Sequence, residues 1–293
     1  MNAWNRLSPT SQGICLMIFA IFCFTLLDAQ AKGLVGHYNA VQVAWARYAG
    51  QTILVAVLVI RQLGPMLRTR FPGLQLLRSG FQLTATLLFF SSLSFIGLAE
   101  ATAIVDLNPV LITLGAALFL GEKIGLRRFL GVAVALLGAM IIIRPGVGVF
   151  SPGAFLALGC GVCYAGYSLV TRAVGTRESV WTSLLYTGLF GTVMLSGLLP
   201  WVWQPMALAD LPGFAAVGAL GAVAQLCLIR ALMLAEASVV APFSYLGLVY
   251  ALVWGWLFFD EWPDGWTLLG ALVIVLAGLY VWHREARQRG RAQ

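Results

Sequence analysis

The chain has 293 residues, of which 60% are hydrophobic and 10% charged, with a net charge of +7 and a mean hydropathy of +0.90. So much apolar surface cannot be hidden in a soluble core, and lipid is the solvent that suits it. The longest polar break, 61–72, leaves no room for a fused soluble domain, and no GxxxxGK[ST] phosphate loop is present, which excludes a nucleotide-driven pump.

Ten apolar stretches follow one another, each near the roughly 20 residues that a helix needs to cross a bilayer. The first, 11–31, carries Asp28 near its end, and the second, 41–60, holds Arg47. The third, 73–95, contains Gln82, Thr84 and Thr86; the fourth, 99–120, contains Asp106, Asn108 and Pro109; the fifth is 126–143. The glycines of RPGVGVF at 144–150 follow no strand and form a turn between helices. The sixth stretch, 152–173, bears Tyr164, Tyr167 and Ser168, and the seventh, 179–199, bears Tyr186. Gln225 lies in the eighth, 212–233, and Ser244, Tyr245, Tyr250 and Trp254 in the ninth, 237–259; the tenth is 264–282. Continuous apolarity, rather than alternation at every second residue, makes these helices and not barrel strands.

The charges report topology. With the N-terminus inside, 15 of the 18 Lys and Arg residues fall on the inner side: Arg6, Arg61, Arg68, Arg70, Arg78, Lys123, Arg127, Arg128, Arg172, Arg177, Arg230 and the four arginines of 284–291. Lys32 and Arg144 fall outside, and Arg47 lies within a span. That bias predicts an even number of spans and cytoplasmic termini in a bacterial inner membrane. The positive charge therefore faces cytoplasm and anionic headgroups, not nucleic acid.

The five cysteines all lie within spans, so neither a disulfide framework nor a zinc site is expected; Cys160 and Cys163 read as small-residue packing. His37 and His283 have no partners in sequence, and no metal or cofactor is expected. Arg6, the apolar run 14–27 and the AQA at 29–31 imitate a cleavable signal peptide, but an internal repeat argues that the first span is retained.

That repeat starts from LAEA, at 98–101 and again at 234–237. Each copy opens an apolar span, which ends at Glu122 in one case and Glu261 in the other, and then a second span in which Gly131 matches Gly270. The first span aligns with the sixth, Cys23 on Cys163 and Lys32 on Arg172. Each half therefore has five spans. Because five is odd, the second half enters from the opposite side, which predicts an all-α integral membrane protein of ten transmembrane helices in two inverted five-helix repeats, 1–147 and 148–293.

The span NPVLITLGAALFLGEKI (108–124), with an early proline and a Gly-Glu at its cytoplasmic end, resembles the signature of the EamA-type drug/metabolite transporter superfamily. GVAVALLGAMIIIRPG and the ten-span, two-half organisation fit the same pattern over essentially the whole chain. The length and the aromatic-rich second half are similar to YddG-like amino-acid exporters. The second half departs from the pattern, with Tyr245 at the proline position, Pro242 three residues earlier, and Asp260-Glu261 for the Gly-Glu.

Ionisable groups within spans are costly and need partners or a polar cavity. Asp28, Arg47 and Asp106 occupy one outer layer, the latter two about 10 Å deep at 1.5 Å per residue. Arg47 can pair with either acid, as an outer gate, as a site for a substrate's carboxylate and ammonium, or as a structural ion pair. Gln82, Thr86, Asn108, Tyr164, Tyr167, Ser168, Tyr186, Gln225, Ser244, Tyr245, Tyr250 and Trp254 are the candidate cavity lining, suited to an apolar or aromatic body with a small polar head. Pro109 deprives the Val105 carbonyl of its helical donor and marks a hinge. Glu100, Glu122, Glu236 and Glu261 mark span ends.

The expected function is a secondary transporter, not an enzyme, that exports small organic metabolites, aromatic amino acids above all, by alternating access and as a monomer. The alternatives are a lipid-linked-sugar or nucleotide-sugar carrier of the same superfamily, or a membrane-embedded enzyme acting on lipid, which would need a catalytic constellation that the sequence lacks.

Overall fold

The structure, a computed structural model, describes residues 7–108, 111, 126–143, 151–174, 178–235, 243 and 245–289. Pro109, Glu122, Glu236, Pro242 and Ser244 lie outside the described residues. Every regular element among those described is helical: α1 (Pro9–Val35), α2 (Ala40–Leu58), α3 (Pro72–Ser92), α4 (Leu98–Val105), α5 (Leu126–Ile143), α6 (Pro152–Val174), α7 (Val180–Val202), α8 (Leu211–Leu234), α9 (Leu246–Phe259) and α10 (Gly265–Arg289). Two short helical turns, Ile60–Gln62 and Leu63–Met66, lie between α2 and α3. The helices take the apolar stretches in order, the fifth at 126–143 as predicted and the ninth starting later, at Leu246.

By length and composition, α1, α7, the 152–171 part of α6 and the 211–228 part of α8 can each cross a membrane. Apolar side chains stand outward along them and along their neighbours, as Ile53 (65% exposed), Leu137 and Trp201 do, which suits lipid and not water.

Local chemistry sets the helix ends. Ser8 Oγ accepts from the Ser11 N–H at the start of α1, Asn39 Oδ1 from Val41 N–H at the start of α2, and Asp264 Oδ1 from Thr267 N–H at the start of α10. α4 breaks at Val105, where Asp106 N–H still reaches Thr102 but Leu107 N–H closes a tighter turn onto Ile104. α9 ends on Asp260 in the left-handed region (φ 53°), with the Glu261 N–H returning to the Gly255 carbonyl six residues back. That turn aims Glu261 at the start of α4, where its Oε2 accepts the Leu98 N–H at 3.1 Å.

The chain divides into two compact units, one of residues 1–26, 97–150 and 223–293, the other of 27–96 and 151–222, so that the boundaries run through α1 and α8. In the first unit α5 packs on α10 and α4 on α9, and Met17 of α1 packs on Ala231 of α8 and on Ala235 just past its end. The α5–α10 contact depends on glycine. A Cβ on Gly270 would meet the Gly138 carbonyl oxygen at 2.6 Å and Ile142 Cγ1 at 2.5 Å. Gly270→Ala is therefore expected to overpack this crossing at a cost of about 1–3 kcal/mol, read as a lower melting temperature of the purified protein.

In the second unit α2 packs on α7 and α3, and α3 on α6 and α7. Polar contacts close both of its ends. At one end, Tyr38 OH donates to Asp210 Oδ2 at 2.6 Å and Gln42 exchanges two hydrogen bonds with the Gln204 backbone, joining the α1–α2 and α7–α8 connections. At the other, Glu178 accepts from the Thr69 hydroxyl and the Arg70 N–H, joining the α6–α7 and α2–α3 connections.

Candidate functional site

The second unit gathers most of the buried polar side chains that sequence reasoning singled out. α3 is its spine, because Gln75, Arg78, Gln82 and Thr86 recur at three- and four-residue steps and so share one face. Arg47 of α2 donates from Nη1 to Thr86 Oγ1 at 2.9 Å. Tyr48, 1% exposed, donates to the Gln82 carbonyl at 3.1 Å and lies 2.8 Å from Thr86 Oγ1. Giving each hydroxyl one acceptor orders the chain: Arg47 to Thr86, Thr86 to Tyr48, Tyr48 to the Gln82 carbonyl. The Tyr48 ring has its place only because residue 191 is glycine; a Cβ there would stand 2.5 Å from the ring.

The Arg47 guanidinium lies 5.7 Å from the Tyr48 ring centre and 5.8 Å from that of Phe90, within cation–π range. Its Nε is buried without a hydrogen-bond partner, and so is the Gln82 Oε1. Gly221 of α8 packs close by: a Cβ there would stand 3.1 Å from Leu27 Cδ1 and 3.9 Å from that nitrogen. No hydrogen bond joins Arg47 to Asp28 among the described residues; the hydrogen bond of Arg47 goes to Thr86, which sits opposite it on α3.

Tyr164 and Tyr167 of α6 lie with ring centres 5.6 Å apart, as their shared face predicts. Ser168 is on that face too, but its hydroxyl donates back to the Tyr164 carbonyl at 2.9 Å, so its own helix takes the donor. Tyr186 stands apart from the cluster, its hydroxyl donating to the Leu67 carbonyl in the α2–α3 connection.

Arg78 is more enclosed than an inner-flank charge needs to be. Read from sequence as an inner-flank charge, it is 4% exposed and folded into the unit. Nε donates to Thr171 Oγ1, Nη1 to Gln75 Oε1 and the Ser183 carbonyl, and Nη2 to the Tyr167 hydroxyl at 2.9 Å, with the guanidinium 4.9 Å from the Tyr167 ring centre. The signal that could have found it was its spacing from Gln82 and Thr86 on α3.

Gln75 links this cluster to the membrane edge by donating to Ser183 Oγ and, at 3.4 Å, to Glu178. Partial burial works to raise the Glu178 carboxyl, but hydrogen bonds from Thr69, the Arg70 N–H and Gln75 outweigh it and hold the group below its ordinary value of 4.5. A depressed carboxyl stabilises the folded state above its unfolded value and loses that contribution as pH falls through the folded value. Melting temperature should therefore drop on acidification below about 4.5 in the native protein, and Glu178→Gln should flatten that part of the profile.

In the first unit, Phe22 of α1 contacts the rings of Tyr250 and Trp254 edge-on at 5.7 and 5.4 Å, and the Trp254 Nε1–H donates to Thr25 Oγ1. Both predicted lining residues thus pack against α1. Tyr245 precedes α9 within electrostatic reach of Asp106, and Gln225 is half-buried in α8. Asp106 Oδ2 and Asn108 Oδ1, at the break after α4, are buried acceptors without hydrogen-bond partners among the described residues. All five cysteines are free, and among the described residues no group of three His, Cys, Asp or Glu side chains gathers.

Residues 11–144 match the EamA-like transporter family, and residues 151–282 match it again. The chain belongs to that family. It is similar to the pseudopaline exporter of Pseudomonas aeruginosa, 30% identical over 270 residues that cover 90% of this chain and 94% of the relative. It is equally similar, 30% over 285 residues covering 94% and 92%, to a riboflavin transporter of Rhizobium johnstonii. An S-adenosylmethionine uptake transporter of Rickettsia bellii is 25% identical, with 97% of both chains covered. A solved crystal structure with 20% identity shares the fold, with a TM-score of 0.66 over 95% of this chain and 98% of that one. This EamA-like transporter is an integral membrane protein and not an enzyme. Arg47 thus keeps a buried donor without a partner among the described residues, whereas Arg78 spends donors from all three nitrogens on protein groups.

Proposed function

We propose that this chain is a secondary transporter exporting small organic metabolites, amino acids and aromatic ones in particular, across the bacterial inner membrane by alternating access. The observation that carries the reading is Arg47, a guanidinium within a span whose Nε has no acceptor among the described residues and whose flanks are aromatic. A substrate carboxylate suits the donor, and its apolar or aromatic body suits the rings.

The architecture we propose is ten spans in two inverted five-helix repeats, 1–147 and 148–293, with both termini cytoplasmic. The double family match supports two repeats. Inversion is supported by the ends of the second unit: the α1–α2 connection shares an end with α7–α8, while its repeat equivalent, α6–α7, shares the other end with α2–α3.

Relatives that carry a pseudopaline, riboflavin or S-adenosylmethionine transporter name support a small organic metabolite as cargo. A phosphate-bearing sugar carrier would call for a second open cation, and Arg78 has its donors engaged by protein. The deciding experiment is efflux of labelled phenylalanine, tyrosine and a nucleotide sugar from sealed vesicles holding the purified protein. Saturable amino-acid efflux supports the reading, and flux of the nucleotide sugar alone replaces it with the alternative.

A further inference from the structure

We propose that Gln82 of α3, with Ser79 one turn before it, reads a hydrogen-bond donor on the substrate, so that an acid with an amino or hydroxyl group beside its carboxylate is preferred over the same body without one. The inference rests on the transport reading above for its carboxylate at Arg47 and adds a second point of recognition.

The fold buries three polar side-chain atoms of the second unit and leaves them without partners among the described residues: Arg47 Nε, Ser79 Oγ and Gln82 Oε1. Such atoms are normally paired, because an unpaired one has given up its hydration for nothing. Ser79 is 1% exposed. A hydroxyl inside a helix can bond back to the carbonyl four residues earlier, as Ser168 and Thr187 do, yet Ser79 does not. For Gln82 the backbone is engaged, its carbonyl accepting from the Tyr48 hydroxyl, while its side-chain oxygen accepts nothing among the described residues.

The three atoms belong to one cluster. Ser79, Gln82 and Thr86 follow one another at three- and four-residue steps on α3, which places successive Cβ atoms about 5–6 Å apart on one face. Arg47 Nη1 donates to Thr86 Oγ1, and the Tyr48 hydroxyl bridges Thr86 Oγ1 and the Gln82 carbonyl. One hydrogen-bonded chain therefore ties Arg47 to Gln82, with one turn of α3 between their contacts.

What each atom lacks decides what it fits. Arg47 Nε is a charged donor and suits a carboxylate, whereas Gln82 Oε1 is an acceptor and suits an N–H or O–H. A bare carboxylate leaves Gln82 unsatisfied; a donor on the neighbouring carbon satisfies both groups at once. The Ser79 hydroxyl can accept a further hydrogen. A site whose buried polar groups are completed by a substrate's donor discriminates against the analogue lacking it, since those groups then stay unpaired. Gln82 is neutral, so it asks for a donor and not for a charge.

The test compares three ligands with one ring body: phenylalanine, 3-phenyllactate with a hydroxyl in place of the ammonium, and 3-phenylpropionate with neither. Binding to the purified protein is measured by titration calorimetry, and flux in sealed vesicles against protein-free controls. Phenylalanine and phenyllactate are expected to bind about 10-fold tighter than phenylpropionate, the worth of one hydrogen bond to a buried acceptor. Gln82→Met, of similar length but without the acceptor, should erase that preference by weakening the first two ligands and not the third. Ser79→Ala should remove part of it, and Arg47→Gln should weaken all three. Because Gln82 Oε1 has no bond to lose, the melting temperature of Gln82→Met should not fall. Equal affinity for the three ligands, tightest binding of phenylpropionate or binding of none would overturn the proposal. So would a Gln82→Met variant that melts lower and keeps the native order of ligands, which is the behaviour of a residue holding a structural water. Donor-selective binding without flux would leave Gln82 in its role and bring down the transport reading; amino-acid flux without donor preference would do the reverse.

Discussion

Arg47→Gln is expected to raise the KM for a carboxylate-bearing substrate by about 10- to 100-fold while moving the melting temperature of the protein very little. A hydrogen bond to a charged group contributes about 1.5–3 kcal/mol, and about 1.4 kcal/mol is a factor of ten in affinity, which sets the range. Stability should hardly change, because two terms oppose each other. The protein loses one hydrogen bond, from Nη1 to Thr86, and it also loses the cost of keeping a charge inside a span. Glutamine can restore a neutral bond to Thr86. Flux against substrate concentration, with melting of the same preparation, checks both halves; a large fall in melting temperature with unchanged KM would make Arg47 a structural residue.

The contrast between Arg47 and Arg78 also shows what the sequence could and could not disclose. Most helix positions were legible because each depends on a run of about 20 neighbouring apolar residues. The shared face of Tyr164 and Tyr167 was legible for the same local reason. What one helix presents to another depends on its rotation and depth, which no local pattern fixes. The partners of Arg78 accordingly lie on α6 and α7, about 90 to 105 residues further along, where its own segment gives no sign of them. Tyr250 and Trp254 likewise meet Phe22, more than 220 residues earlier. The space that Gly191 makes for Tyr48 has no signature in either segment.

Arg78→Met is expected to do the reverse of Arg47→Gln, destabilising the second unit by about 3 kcal/mol and affecting transport only as a consequence. Removing the guanidinium leaves four acceptors, on Thr171, Gln75, Tyr167 and Ser183, without their donor. A buried polar group left unsatisfied costs about 1–3 kcal/mol. The total stays well short of four such penalties, because Gln75 retains its bonds to Ser183 Oγ and Glu178, and the Thr171 hydroxyl retains its own to the Tyr167 carbonyl. At roughly 2–4 °C per kcal/mol for a domain of 150–250 residues, the melting temperature should fall by about 6–12 °C. Lysine should recover less than half of the loss, since a single ammonium cannot span acceptors that a planar guanidinium reaches from three nitrogens. Flux at a temperature well below melting separates the two roles. A purely structural Arg78 leaves KM near that of the native protein in both variants. A KM raised in Arg78→Met and restored in Arg78→Lys, with little change in melting, would instead place Arg78 beside Arg47 in contact with the substrate.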